Sequence, residues 1–207
     1  NAREQFANKF EWVDGVSTDK RAELWCTSNQ GFKITNGDIT NFADGYAPVK
    51  YTNWAYTDNG DDHTIKCENC DYTANEAHAY VDADWCVIRL AEIYLTAAEA
   101  NIVGKAGDQT KALEYVNYIR ERAGVAAWTA ANLTADNILD ERCRELYGEN
   151  CRRTDLVRHN KYAGGNYNWN WKGNVGVGGT ATPEHMNLFP IPSTVISFQG
   201  YKQNPGY

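Results

Sequence analysis

Three stretches of the chain repeat apolar residues at the spacing of an α-helix, and most of the rest has no regular period. The first stretch covers 84–103, where Val87, Leu90, Ala91, Tyr94, Leu95, Ala98 and Ile102 share one stripe. Asp82 or Asp84 can cap its start, and Gly104 can close it. Ala91, Ala97, Ala98 and Ala100 are small enough for a neighbouring helix to approach closely. A second helix is predicted over 108–123, with Leu113, Val116 and Ile119 inward. Arg120 and Arg122 suit its negative C-terminal end, and Gly124 stops it. A third spans 134–147, with Ile138, Leu139, Cys143 and Leu146 inward. The first two make a hairpin of about 40 residues, the size of one tetratricopeptide-type unit. A single such unit cannot bury both of its faces.

Elsewhere the pattern predicts less regular structure. Residues 3–13 read as a short helix with Phe6, Phe10 and Val13 on one face. Residues 14–84 look irregular. Within them, 32–40 predicts a hairpin about Asn36-Gly37, because Asn-Gly accepts the positive φ of a type I′ turn. Residues 49–52 form a further strand candidate, and 58–62 an acidic turn. That turn offers oxygens to calcium but lacks the spacing of a calcium loop, so it reads as solvated. Residues 163–182 are rich in Gly and Asn and predict a long loop. Tyr167, Trp169 and Trp171 alternate there with Asn166, Asn168 and Asn170. In an extended segment the rings share one face and the amides the other. Gly173 to Gly179 has no Lys-Ser/Thr after it and is not a phosphate loop. Prolines hold 188–192 and 203–207 extended. The fold class is mainly α with long loops and minor β.

Composition and charge narrow the function. The 207 residues suffice for a buried core, and 43% of them are hydrophobic. No apolar run is long enough to predict a transmembrane helix. The net charge of −7 is uneven: residues 1–84 carry 15 acids and 7 bases, residues 85–207 carry 12 and 13. An acidic surface repels phosphate, so nucleic acid is not an expected partner. The chain has 7 Trp, 13 Tyr and 21 Asn against 9 Leu. Flat apolar rings and amides together suit the CH faces and hydroxyl rims of sugars. A tyrosine-rich outer surface is the plainer reading of the same numbers.

Between Asp140 and Arg158 lie five acids and five arginines. Equal counts point to a self-neutralising ion-pair network involving Glu141, Arg144, Glu145, Arg152 and Asp155 rather than to an anion site. His63, His78, His159 and His185 are isolated and lack metal spacing, so no metal is expected. No G-x-S-x-G, H-E-x-x-H or Walker pattern occurs. The chain reads as a non-catalytic binder without a cofactor. A protein-interaction module and, less favoured, a glycoside hydrolase using acids of the first 84 residues are the alternatives.

Cys26, Cys67, Cys70, Cys86, Cys143 and Cys151 are an even set that suits disulfides in an oxidising compartment. Cys67-x-x-Cys70 is also half of a zinc site, though no second such pair exists. Acids around it disfavour a redox-active thiol.

Several pieces of 85–207 together resemble the C-terminal part of the SusD/RagB family of bacterial outer-membrane nutrient-binding lipoproteins. In family order they are Arg89 to Leu95 with Ala98-Glu99-Ala100, then Val116 to Gly124. Glu141 to Leu146 with Arg152 to Arg158 follows, then Leu188 to Pro192 and Gln203 to Tyr207. The resemblance implies an α-rich fold with tetratricopeptide-like hairpins, a single domain over 1–207 in which 1–84 is loop-rich, 85–160 helical and 161–207 a loop with an extended tail. It implies a cell-surface location at the outer membrane, a lipid anchor and a SusC-type TonB-dependent transporter as partner. It also places the family's N-terminal half and lipid-attachment cysteine outside this sequence. The ligand is then an oligosaccharide or other nutrient. The matching motifs read as framework, so no ligand contact carries over with them.

Two sets of residues are singled out on these grounds. Cys67 with Cys70 and Cys143 with Cys151 are the disulfide candidates. A glycan platform is expected from loop aromatics rather than helix aromatics: Trp12, Trp54, Tyr56, Trp169 and Trp171, with Asn53, Asn168 and Asn170 at the rim. Trp85, Tyr94 and Tyr115 lie in amphipathic patterns and are expected in the core.

Overall fold

A computed structural model describes residues 4–13, 16–22, 24–25, 47–48, 50, 86–105, 107–169 and 178–207. The predicted hairpin at 32–40 and the acidic turn at 58–62 lie outside these residues, as do most of 49–52 and of the glycine-rich piece. The chain forms two compact units, Asn1–Asn150 and Cys151–Tyr207. Gly148 and Asn150 adopt positive φ of 77° and 61° at that point, which breaks the helical path.

The first unit begins with α1 (Glu4–Ala7). Two short antiparallel pairs follow, β1 (Trp12–Val13) with β2 (Val16–Ser17) and β3 (Leu24–Trp25) with β4 (Ala47–Pro48). The predicted helix over 3–13 thus lasts one turn. Beyond it Phe10 N–H bonds back to the Ala7 carbonyl in a tight turn, and Trp12 pairs with Ser17 instead of ending a helix. Phe6 and Phe10 still share a face, meeting Tyr147 at ring distances of 5.0 and 6.2 Å.

The helical core consists of α2 (Leu90–Ile102), α3 (Gln109–Arg122) and α4 (Ala135–Leu146), with α2 packed on both others. Leu95 and Ala98 of α2, Val116 and Ile119 of α3, and Ile138, Leu139, Cys143 and Leu146 of α4 are buried. The helices α3 and α4 start where the sequence places them, each behind a capping side chain. The Asp108 carboxylate accepts from Thr110 N–H at 2.8 Å, and the Thr134 hydroxyl accepts from Asn137 N–H at 3.2 Å. Gly124 ends α3 with a φ of 75°. By contrast, α2 starts later than expected because Arg89 is extended and its guanidinium is held elsewhere. Val87, Ile88, Leu90 and Ile93 remain exposed. Tyr94 and Tyr115 are half-buried, not core; their rings stack at 4.9 Å across α2 and α3. Trp85 lies outside the described residues.

The inward face of α4 also carries two carboxylates, and Glu141 has no exposed surface. Arg21, Arg120 and Arg144 reach Glu141 at 2.6, 2.8 and 2.5 Å. Arg89, Arg122 and Arg21 reach Glu145 at 2.6, 2.5 and 3.4 Å. Arg21 is clamped in turn by Asp19 at 2.8 Å, and Arg89 bonds Glu149 at 2.7 Å. Arg142 reaches back to Glu99 of α2 at 3.3 Å. The expected ion-pair network is present, but most of its cations come from far along the chain. Arg120, assigned by sequence to the end of a helix dipole, is buried and bonds Glu141. Of the rest of the expected set, Asp155 pairs with Arg158 at 2.6 Å in the second unit, and Arg152 is half-buried at the start of its helix.

In the second unit, α5 (Arg152–Arg158) buries Asp155 and Leu156. The pair β5 (Asn168–Trp169) and β6 (Thr180–Ala181) follows, then a 3-10 turn (Glu184–Asn187) and α6 (Ser193–Gln199). The expected extended tail is interrupted by α6. Pro192 stands at its N-cap, where the missing N–H costs nothing, and Gly200 closes it with a φ of 66°.

Removing a buried carboxylate strands the cations around it. Glu141→Ala is expected to cost about 3–5 kcal/mol in urea denaturation. Burial by itself raises the Glu141 carboxyl, but Arg21, Arg144 and Arg120 pull it below its ordinary 4.5. A depressed carboxyl contributes stability above its unfolded pKa and loses it as pH falls below that value. Stability is therefore expected to decline as the protein is acidified below about pH 4.5, with a shallower decline in Glu141→Gln.

Candidate functional site

The second unit displays an aromatic series on a well-tied frame. Asn166 and Asn168 are exposed while Tyr167 and Trp169 are half-buried, the alternation expected of an extended segment. Trp169 is less open than its polar surroundings imply. Its indole N–H donates to the Tyr162 carbonyl at 3.4 Å, and its ring meets Tyr167 at 4.7 Å and Tyr162 at 6.0 Å, both edge-on. Asn168 donates its amide to the Gly178 carbonyl at 2.5 Å, tying together the two ends of the loop.

Beyond Tyr162 the series continues through Arg153. Its guanidinium lies over the Tyr162 ring at 4.9 Å and over Phe189 at 3.8 Å. It also donates to the Met186 carbonyl at 2.8 Å, which fixes its plane. Phe189 is 69% exposed. Glu184 is exposed and faces Gly164, where a Cβ would fall 2.1 Å from its carboxylate. Sequence reasoning missed Tyr162, Arg153 and Phe189. Only the position of Phe189 before Pro190 hinted that it would lie on an extended surface strip.

The tail supports this strip through side-chain amides. Gln203 accepts from Ile191 N–H at 2.8 Å and donates to the Ile191 carbonyl at 2.9 Å, copying a strand partner. Asn204 donates to the Phe189 carbonyl and the Tyr207 hydroxyl to that of Leu188, both at 2.8 Å. These bonds present the Phe189 backbone in one conformation. In the first unit Asn117 bonds Trp128 N–H and carbonyl at 2.7 and 3.0 Å, and Arg120 stacks on that indole. These contacts of Asn117 and Arg120, both within a family motif, are framework contacts.

Of the other singled-out residues, Trp12 lies on β1 in the first unit, opposite Ser17. Asn53, Trp54, Tyr56, Asn170 and Trp171 lie outside the described residues, and so do Cys67 and Cys70. No bridge joins Cys143 to Cys151, and Cys143 is committed to the core face of α4. His185 packs edge-on against Tyr207 at 4.8 Å. Among the described residues no helix is long and apolar enough to cross a membrane.

The sequence profile of the SusD family matches residues 16–207. This chain belongs to the SusD family. It is similar to the starch-binding protein SusD of Bacteroides thetaiotaomicron, with 34% identity over 191 residues, 91% of this chain and 31% of that protein. It thus spans about a third of that SusD. A solved SusD superfamily structure from Bacteroides vulgatus shares 33% identity at a TM-score of 0.51, over 63% of this chain and 29% of the other. One from Parabacteroides distasonis covers 99% of this chain and 41% of its own, at a TM-score of 0.60 and 23% identity, and supports the SusD fold alone.

Proposed function

We propose that this SusD-family chain takes part in non-catalytic capture of an oligosaccharide at the bacterial cell surface, for delivery to a SusC-type TonB-dependent transporter of the outer membrane. In this reading the protein meets the membrane through a lipid anchor and does no chemistry on the sugar. The observation that carries it is the aromatic series Tyr167, Trp169, Tyr162 and Phe189, with Arg153 between the last two. Ring faces stack on sugar CH surfaces, and exposed Asn166, Asn168 and Glu184 offer bonds to hydroxyls. The starch-binding name of the Bacteroides thetaiotaomicron relative supports a glycan as the ligand class. Trp12, Asn53, Trp54, Tyr56, Asn170 and Trp171 belong to the same proposal as further contacts.

Glycan-array binding identifies the ligand, and calorimetry with that glycan tests the site. Trp169→Ala and Phe189→Ala are each expected to weaken binding several-fold while the protein stays folded. If both variants fold and bind as the parent does, the platform lies elsewhere. A cell-surface location also predicts a Cys67–Cys70 bridge. Thiol titration of the denatured, unreduced protein is then expected to find four thiols of the six cysteines, and six thiols would refute the bridge.

A further inference from the structure

Among the described residues, the network around α4 holds more cations than carboxylates. Arg21, Lys50, Arg89, Arg120, Arg122 and Arg144 are six described cations that bond the four described carboxylates Asp19, Glu141, Glu145 and Glu149. Three guanidiniums converge on Glu141 and three on Glu145, so neither carboxylate can neutralise its neighbours. Like charges held this close repel one another, most strongly where water is scarce.

The excess faces an open space in the first unit. A cavity of about 280 Å³ is lined by Lys20, Arg21, Lys50, Arg89, Arg122 and Arg144. Among the described residues, Glu145 is the single acid in its wall, and Tyr147 and Ala123 also line it. That volume is several times the roughly 30 Å³ share of one water. Arg21 is buried and doubly anchored, so its charge cannot swing out to solvent. At the rim the Arg122 side chain is 59% exposed with one bond to Glu145. Lys20 is exposed too, and its backbone N–H is tied to the Ala123 carbonyl at 2.9 Å. Fixed guanidiniums behind and exposed cations in front are an arrangement that receives a compact anion in charge-assisted hydrogen bonds.

We propose that this cavity is an oxyanion-binding site, taking a sulfate, phosphate or sugar-carboxylate group against Arg21, Arg89 and Arg122 with Lys20 closing the rim. The site is independent of the aromatic series, and its success or failure does not bear on the glycan reading.

The test is calorimetry and thermal melting of the whole chain in sodium sulfate, sodium phosphate and sodium glucuronate, each against sodium chloride at equal ionic strength. Saturable binding with a rise in melting temperature is expected for at least one of the three. Sulfate or phosphate alone identifies an inorganic ion, and glucuronate identifies an acidic sugar. Lys20→Ala with Arg122→Gln, both at exposed positions, is expected to weaken that binding at least tenfold. Circular dichroism and melting in chloride check that the variant remains folded. No saturable binding by any of the three would overturn the proposal and mean that the protein's own carboxylates meet the excess charge. Binding that the folded double variant keeps would overturn it as well.

Discussion

The first unit depends on two carboxylates that α4 carries into its interior. A buried carboxylate is tolerated only when cations and hydrogen bonds surround it. Glu141 and Glu145 stand one helical turn apart and so face the same side of α4. To satisfy them, Arg21 must come from the N-terminal segment, Arg89 from just before α2, and Arg120 and Arg122 from the end of α3. Each arginine brings its own element with it. The apolar contacts between the helices are nondirectional, whereas these pairs fix which residues stand opposite one another. The late start of α2 follows from the same demand, since Arg89 must be extended to reach two acids at once.

The second unit solves a different problem with different groups. Among its described residues few apolar ones are buried, chiefly Leu156 and Ala163. Side-chain amides and hydroxyls take over the work of a sheet partner there. Gln203, Asn204 and Tyr207 pair with the backbone of 188–191, and Asn168 pairs with Gly178. A strip held by backbone bonds is free to turn its rings outward. Phe189 is largely exposed and backed by the Arg153 guanidinium rather than by apolar packing. Framework and candidate binding surface overlap at Arg153 and Phe189, which lie within family motifs and also in the aromatic series.

The sequence by itself determined the helices whose ends are capped locally. Asp108, Thr134 and Gly124 act on backbone groups within four residues, and the inward stripes of α3 and α4 need only a 3.6-residue period. It determined the family as well, through framework motifs lying in order along the chain. The alternation of rings and amides at 166–169 was legible for the same local reason. Tertiary structure alone decided the rest. Phe6 and Phe10 suited a longer helix, but strand pairing at Trp12 ended it. The equal counts of acid and base between 140 and 158 pointed to internal pairing, yet Glu145 takes its three arginines from residues 21, 89 and 122. Tyr162, Arg153 and Phe189 meet across as many as 36 positions of chain. Contacts of that kind depend on where the chain returns to itself, and no local period or cap records it.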